Sequence, residues 1–271
     1  MKDNQPYALV TGGTSGIGYE LVRLLAGDGY NLILVARNEE ALNRISNEVR
    51  QQYNVEVITR SKDLFNVQNA FDLYHELKSE NLNVEILIND AGQGQFGQFI
   101  ETDIHRELDI INLNIGSLVV LTKLYLKDMI NMGRGKILNL SSIASKMPGP
   151  WQAVYHGTKA FVQSFTEAIR SETKDMGVTI TSLLPGATAT DFFSKANMLA
   201  SKIVVDGELD DPAQVARDGY EALMKGDDMV VSGAKNKMQV AMSNVTPDET
   251  LADKMKKKQA PIGADKEGNA K

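Results

Sequence analysis

Along this chain, short apolar runs rich in Val, Ile and Leu alternate with longer stretches in which apolar residues return every three or four positions. The first pattern predicts buried strands and the second amphipathic helices. Strands are expected at Tyr7–Thr11 (YALVT), Asn31–Ala36 (NLILVA), 55–60, 85–89 (EILIN), 136–140, Val178–Leu184 and 229–232. Helices are expected at 17–26, at 39–52 with Leu42, Ile45 and Val49 inward, and at 67–79 with Phe71, Leu73, Tyr74 and Leu77. Two long ones follow, over 104–131 and 151–176. Strict alternation of this kind predicts one doubly wound, mostly parallel α/β sheet of the Rossmann type with right-handed crossovers. Residues 1–245 read as a single domain, and 246–271, low in large apolar residues and containing Lys254-Met255-Lys256-Lys257-Lys258, as a polar tail. That tail is expected to be solvated and flexible, with an electrostatic contact to an anionic surface as the other reading.

The first strand runs into Thr11-Gly12-Gly13-Thr14-Ser15-Gly16-Ile17-Gly18 and then into a helix. Such glycines allow a sharp turn, close backbone approach to a pyrophosphate and tight packing of helix on sheet. The helix N-terminus then offers unpaired N–H groups to phosphates. A turn of this kind also forms for steric reasons alone, so the other strand ends decide. A Walker-type loop needs Lys after its last glycine, where Tyr19 stands. Ligands of such sheets sit outside the carboxyl ends of the strands. The residues there are Ala36-Arg37, Asp63, Asn89-Asp90-Ala91-Gly92, Ser141-Ser142 and Pro185-Gly186, with Thr188 and Thr190 just beyond.

Composition narrows the classes. Of 271 residues, 42% are hydrophobic and 24% charged, as in a globular protein with a real core. The formal net charge of −6 argues against a nucleic-acid binder. The absence of cysteine removes disulfides, thiolate nucleophiles and cysteine metal sites, and the three histidines form no ligand set, so no metal is expected. No uninterrupted apolar run reaches the roughly 18 residues of a membrane span, and Met1 to Asn4 lead into the first strand without a signal-peptide core. A cytoplasmic protein is expected.

Taken together, TGGTSGIG, NDAG at 89–92, Asn114 within INLNIG, NLSSIAS at 139–145, Tyr155-x-x-x-Lys159 and Pro185-Gly186 with Thr190 resemble the ordered signature of the short-chain dehydrogenase/reductases. The resemblance covers about residues 7–191. It implies a seven-stranded parallel sheet between helices, a nicotinamide dinucleotide, and a catalytic group of Asn114, Ser142, Tyr155 and Lys159. The implied activity is an NADP(H)-dependent oxidoreductase that interconverts a ketone or aldehyde and an alcohol. The alternative is a catalytically silent nucleotide-binding regulator or scaffold on the same fold.

Chemistry supports those assignments independently. Tyr155 and Lys159 are four apart on one helix and share a face. An ammonium and an oxidised nicotinamide nearby would lower the phenol from about 10 toward 7, making Tyr155 a general acid in reduction and a general base in oxidation. Ser142, thirteen residues before Tyr155 at the mouth of the fifth strand, can hold the reacting carbonyl oxygen; strand alternation and, by the resemblance, the family's spacing to Tyr155 favour it over Ser141. Lys159 would also hold the nicotinamide ribose, and Asn114 resembles the family residue that supports a proton-relay water. NAD-preferring units carry an acid at the end of the second strand, whereas Val35-Ala36-Arg37 has none, so NADP is expected in preference to NAD. Asn38 and Thr14 could add hydrogen bonds, and Asp63 resembles the residue that meets the adenine amine. The expected cofactor contacts are thus Gly12, Thr14, Ser15, Gly16, Ile17, Gly18, Arg37, Asn38, Asp63, Asn89, Ala91, Gly92, Tyr155, Lys159, Pro185, Gly186, Thr188 and Thr190.

Where the family usually has Asn this chain has Asp90, so either an amide donor is lost, or the carboxyl is protonated or partnered by a backbone N–H. Residues 93–99, 147–151 and 192–205 should wall a mostly apolar substrate pocket through Phe96, Met147, Pro148, Trp151, Phe192, Phe193, Met198 and Leu199. Residues 192–211 are long enough for a lid. A small-molecule carbonyl or alcohol substrate is expected, and the two long helices resemble the family's pairing helices, giving a homodimer or homotetramer.

Overall fold

The computed structural model describes residues 6–262. In chain order the elements are β1 (Tyr7–Thr11), α1 (Gly16–Gly27), β2 (Asn31–Ala36), α2 (Glu39–Tyr53), β3 (Val57–Ser61), α3 (Gln68–Ser79) and β4 (Val84–Asn89). Then come α4 (Ile104–Ile111), a π-helical turn (Asn112–Ser117), α5 (Leu118–Met132), β5 (Gly135–Leu140), a 3₁₀ turn (Ile143–Lys146), α6 (Ala153–Glu172) and β6 (Val178–Leu184). The chain continues through α7 (Phe192–Lys195), α8 (Lys202–Val205), α9 (Pro212–Lys225), β7 (Met229–Val231), α10 (Ala234–Ser243) and α11 (Asp248–Gln259).

All seven strands are parallel, in the order β3-β2-β1-β4-β5-β6-β7. Alternation along each strand feeds two cores, one per face of the sheet. On β1, Ala8 and Val10 join α1, α2 and α9 through Leu21, Leu25, Leu42, Ile45, Val215 and Leu223. Leu9 points the other way, toward Leu73, Leu77, Leu121, Tyr125 and Met129 of α3 and α5. Each fully buried Leu or Ile contributes roughly 1.5–3 kcal/mol of transfer free energy.

Local signals set the helix ends. Asn38 accepts from the Ala41 N–H at 2.9 Å to start α2, and Asp211 caps α9 ahead of Pro212. Gly133, at φ +68°, stops α5. A buried polar ladder then fixes the sheet to its helices: Asn89 Nδ2 donates to Thr122 Oγ1 (3.0 Å) and Asn139 Oδ1 (2.9 Å), and Asn139 Nδ2 donates to Thr166 Oγ1 (3.0 Å).

Two expectations need correction. The 104–131 helix is interrupted, because residues 112–117 widen into the π turn that rotates Asn114 inward. The stretch Ile104–Met132 is long and apolar enough to cross a membrane by length and composition, but here its inner face belongs to the core through Leu113, Leu121, Tyr125, Leu126 and Met129. The flexible-tail reading also fails where the chain is described. Residues 248–259 form a helix, because Leu251, Met255, Gln259 and Ala260 fall on one side and bury against the body of the protein, including Met147. The rest of that tail, 263–271, lies outside the described residues.

Candidate active site

The strand order reverses between β1 and β4, and a cavity of about 930 Å³ opens there. At its floor the Gly12 N–H donates to Val35 O at 2.9 Å, which turns the chain away from β1. Gly12 has φ +78°, and a Cβ on it would stand 2.8 Å from Asp90 Oδ2 and 3.0 Å from Ala91 N. Gly16, at φ +57°, lies under Thr190 with no room for a methyl. The missing side chains thus let the glycine turn pack directly against Asp90, Ala91 and Thr190.

At one end of this cleft stand Ala36, Arg37, Asn38, Arg44, Asp63 and Phe65. The Arg37 guanidinium stacks on the Phe65 ring at 4.7 Å, exposed to solvent and unpaired with any carboxylate among the described residues. Asn38 spends its side-chain oxygen on the α2 cap, so only its amide nitrogen is open.

Further along, Ser142, Tyr155 and Lys159 line the same cavity. Ser141 turns away, donating to Lys159 O at 3.0 Å. Ser142 caps the 3₁₀ turn by accepting from Ala144 N at 3.1 Å. Lys159 Nζ donates to Leu140 O at 2.7 Å and sits 5.8 Å from the Tyr155 ring centroid. Asn114 is clamped: Oδ1 accepts from Gln93 N (3.0 Å), and Nδ2 donates to Gln93 O (2.9 Å) and Thr158 Oγ1 (3.0 Å).

The electrostatics depart from the expectation of a phenol near 7. Burial pushes Tyr155 up to about 12, and a hydrogen bond with Ser142 only partly offsets this. Burial likewise brings Lys159 down to about 8, against the attraction of Asp90. Asp90 is wedged between Gly12 and Gly18; burial raises it to about 7, opposed by Lys159, Lys195 and a hydrogen bond from the Gly18 N–H. The carboxyl that replaces the usual amide is therefore partnered by backbone and held well above the usual carboxylate range.

The other end of the cavity is walled by Met147, Phe192, Phe193, Met198, Ile203 and Met255. Phe192 covers Tyr155, ring centroids 4.9 Å apart. Residues of the 192–211 segment thus line the mouth, with Lys195 Nζ 3.7 Å from Asp191 Oδ2 and its charge acting on Asp90.

The family model for short chain dehydrogenases matches residues 6–199. This chain belongs to the short-chain dehydrogenase family. Very-long-chain 3-oxoacyl-CoA reductase of Mus musculus is 34% identical over 190 residues, 68% of this chain and 60% of that protein. The chain thus spans less than two thirds of that relative's length. Among solved structures, a short-chain dehydrogenase from Sphingobium yanoikuyae in complex with NADPH superposes with a TM-score of 0.79 at 24% identity, covering 89% of this chain and 96% of that one. A 7beta-hydroxysteroid dehydrogenase gives a TM-score of 0.81 at 25% identity, over 92% and 96% of the two chains.

In this short-chain dehydrogenase most of the expected contacts line the one cavity: Gly12, Thr14, Ser15, Gly16, Ile17, Arg37, Asn38, Asp63, Ala91, Gly92, Pro185, Gly186, Thr188 and Thr190. Three expected residues do not. Gly18 packs beneath Asp90 and the Gly12 carbonyl, Asn89 is committed to the sheet-to-helix ladder, and Asn114 lies behind Gln93. Phe96 and Trp151 stack on each other at 5.9 Å outside the lining, and Leu199 is exposed. Sequence reasoning missed Arg44 and Lys62 at one end, and Gln152, His156, Gln239, Met255, Lys258 and Gln259 at the other. Arg44 lies on α2 and Arg37 before its cap, so no helical spacing linked the two in the sequence. Nothing local marks Gln259.

Proposed function

We propose that this chain is an NADP(H)-dependent oxidoreductase that reduces a ketone or aldehyde to an alcohol, and that Tyr155 is its general acid. The observation that carries this is the convergence of Ser142, Tyr155 and Lys159 with the glycine turn on one cavity. The mouse relative is named a 3-oxoacyl-CoA reductase and the Sphingobium structure holds NADPH, which supports both the reaction class and the cofactor. With these groups intact, a silent scaffold is not favoured.

The residues present fit the dinucleotide. Gly12 and Gly16 line the cavity at the N-terminus of α1, where a pyrophosphate would meet backbone N–H groups, and Lys159 faces Gly92 where ribose hydroxyls would lie. At the end of β2, Ala36 sets no carboxylate against a 2′-phosphate, while Arg37 and Arg44 offer two guanidinium groups. The bound cofactor supplies the hydride and, once oxidised, a positive charge. Ser142 orients the carbonyl oxygen toward Tyr155. Held near 12, the phenol is protonated throughout the neutral range and gives its proton as the carbonyl oxygen gains charge. Asn114 fixes the Gln93 backbone behind Lys159, and Phe192 packs against the phenol ring.

The apolar walls suit a hydrophobic or medium-sized substrate. Incubating the protein with a panel of ketones and aldehydes and NADPH or NADH, and following loss of nicotinamide absorbance, tests the reading. Oxidation of NADPH by at least one carbonyl compound is expected; binding of NADPH with no turnover across the panel contradicts it.

Assembly as a homodimer or homotetramer in the cytoplasm belongs to the proposal. Exposed Ile104, Leu108 and Ile111 on α4, and Phe161 stacked on Phe165 of α6, form the apolar surface it would cover. Light scattering at micromolar concentration and fractionation of expressing cells check each point.

A further inference from the structure

At the substrate end of the cavity a buried chain of polar side chains stops at two atoms without partners. His156 is 5% exposed, and its Nδ1 lies 2.9 Å from Met147 O. A carbonyl only accepts, so Nδ1 carries the proton and Nε2 is an acceptor. Burial lowers the His156 pKa, which keeps the ring neutral. Gln259 must then turn its amide nitrogen toward Nε2, at 3.1 Å, and the same nitrogen lies 3.5 Å from Gln152 Oε1. Each orientation follows from the one before it. What remains is Gln259 Oε1 and Gln152 Nε2, both buried and unpaired, on residues 2% and 4% exposed.

Unpaired buried amide atoms are costly, and native structures keep few of them. Both residues line the cavity. The Gln152 nitrogen lies close to Tyr155 and Phe192: above Gly94, where a Cβ would stand, Phe192 Cζ, the Tyr155 ring and Gln152 Nε2 are 2.9, 3.3 and 3.4 Å away. A ligand group that satisfies them must donate to Gln259 and accept from Gln152. A hydroxyl or a carboxamide does both; a carboxylate only accepts, and an alkyl chain does neither.

We propose that Gln152 and Gln259 form a specificity subsite for a neutral hydroxyl or amide group carried by the substrate a few bonds from the reacting carbonyl. This rests on the oxidoreductase reading and narrows its substrate class. It also makes α11 part of the site. That helix is held over the pocket by Leu251 and Met255 against Met147, and by a bond of 3.2 Å from Trp151 Nε1 to Lys256 O.

The test uses the full chain and matched ketones that differ only by one hydroxyl a few carbons from the carbonyl. Wild type should favour the hydroxylated ketone by about tenfold or more in kcat/KM, because a site built to bond a hydroxyl rejects its deoxy analogue. In Gln259→Leu and in Gln152→Leu that ratio should fall toward one, with KM for the hydroxylated ketone rising. Melting curves and NADPH fluorescence identify a variant that fails to fold; the two substitutions sit on different elements and read the same pair of atoms. Equal kcat/KM in wild type, or an unchanged ratio in a folded variant, overturns the subsite. If no ketone consumes NADPH, the oxidoreductase reading falls separately. Calorimetry then decides the subsite: tighter binding of the hydroxylated ketone that is lost in the variants supports it, and equal binding of the pair overturns it.

Discussion

The two ends of the cavity are built by different means. The end at β1, β2 and β4 rests largely on backbone: glycines at positive φ, strand termini and the first turn of a helix, each feature formed by residues adjacent in the chain. The end at α7, α10 and α11 is made of side chains brought together from positions as distant as Met147 and Met255. A backbone site tolerates little change and reads one constant part of a ligand, whereas a side-chain site can be rebuilt without disturbing the sheet. The first therefore suits a cofactor and the second a substrate.

Tyr155 stands where the two ends meet, so its loss should have the largest effect. Replacing it with Phe removes the transferable proton and keeps the ring against Phe192, and turnover should drop by about 10²–10⁴-fold. NADPH binding, measured by fluorescence, should survive; near-normal turnover would remove Tyr155 from the mechanism.

The cofactor end alone is addressed by Ala36→Asp combined with Arg37→Ala. Hydrogen bonds to charged groups contribute roughly 1.5–3 kcal/mol, so wild type should prefer NADP over NAD by about ten- to a hundredfold and the double variant should lose or reverse that preference. Titration of both cofactors at low and high salt measures it. A preserved preference would shift selection to Arg44 and Lys62.

Ending the chain after Val245 addresses the substrate end alone. It exposes Met147 and Gln152 and removes the buried face of α11, so the melting temperature should fall by more than about 5 °C while NADP affinity holds. A change within a couple of degrees would mean that α11 lies on the surface without packing.

The smallest effect expected is at Asp90, whose folded pKa of about 7 lies above its ordinary 3.8. A raised carboxyl contributes stability that is complete below about 3.8 and lost as pH rises through 7, because the fold must then hold a charge that water solvates better. Asp90→Asn keeps an acceptor for the Gly18 N–H and carries no charge. The variant should therefore melt a few degrees above wild type at pH 8, with a smaller difference at pH 5. An equal difference at both values would mean that Asp90 is charged throughout.

The contrast between the two ends also explains what the sequence disclosed. The sheet was legible because period-two runs such as NLILVA tie burial to neighbours along the chain, and the cofactor end because glycines and strand ends are local features. Asn89 misled for a related reason: its place beside Ala91 and Gly92 is local, but its partners Thr122 and Asn139 are not. The last helix was hidden by its lysines. Its few apolar residues, Leu251 and Met255, gain meaning only against Met147, more than a hundred residues earlier. Gln259 was hidden further, since its role depends on a histidine tautomer set by a distant carbonyl.

The most direct measurement follows the hydride itself. NADPH carrying deuterium at the transferable position of the nicotinamide is incubated with the protein and a reducible ketone, and the product is read by mass spectrometry. One deuterium on the carbinol carbon, formed by wild type and at least a hundredfold more slowly by Tyr155→Phe, is the predicted result. Labelled NADPH that binds tightly and passes no deuterium to any carbonyl would contradict the account and leave a nucleotide-binding protein without turnover.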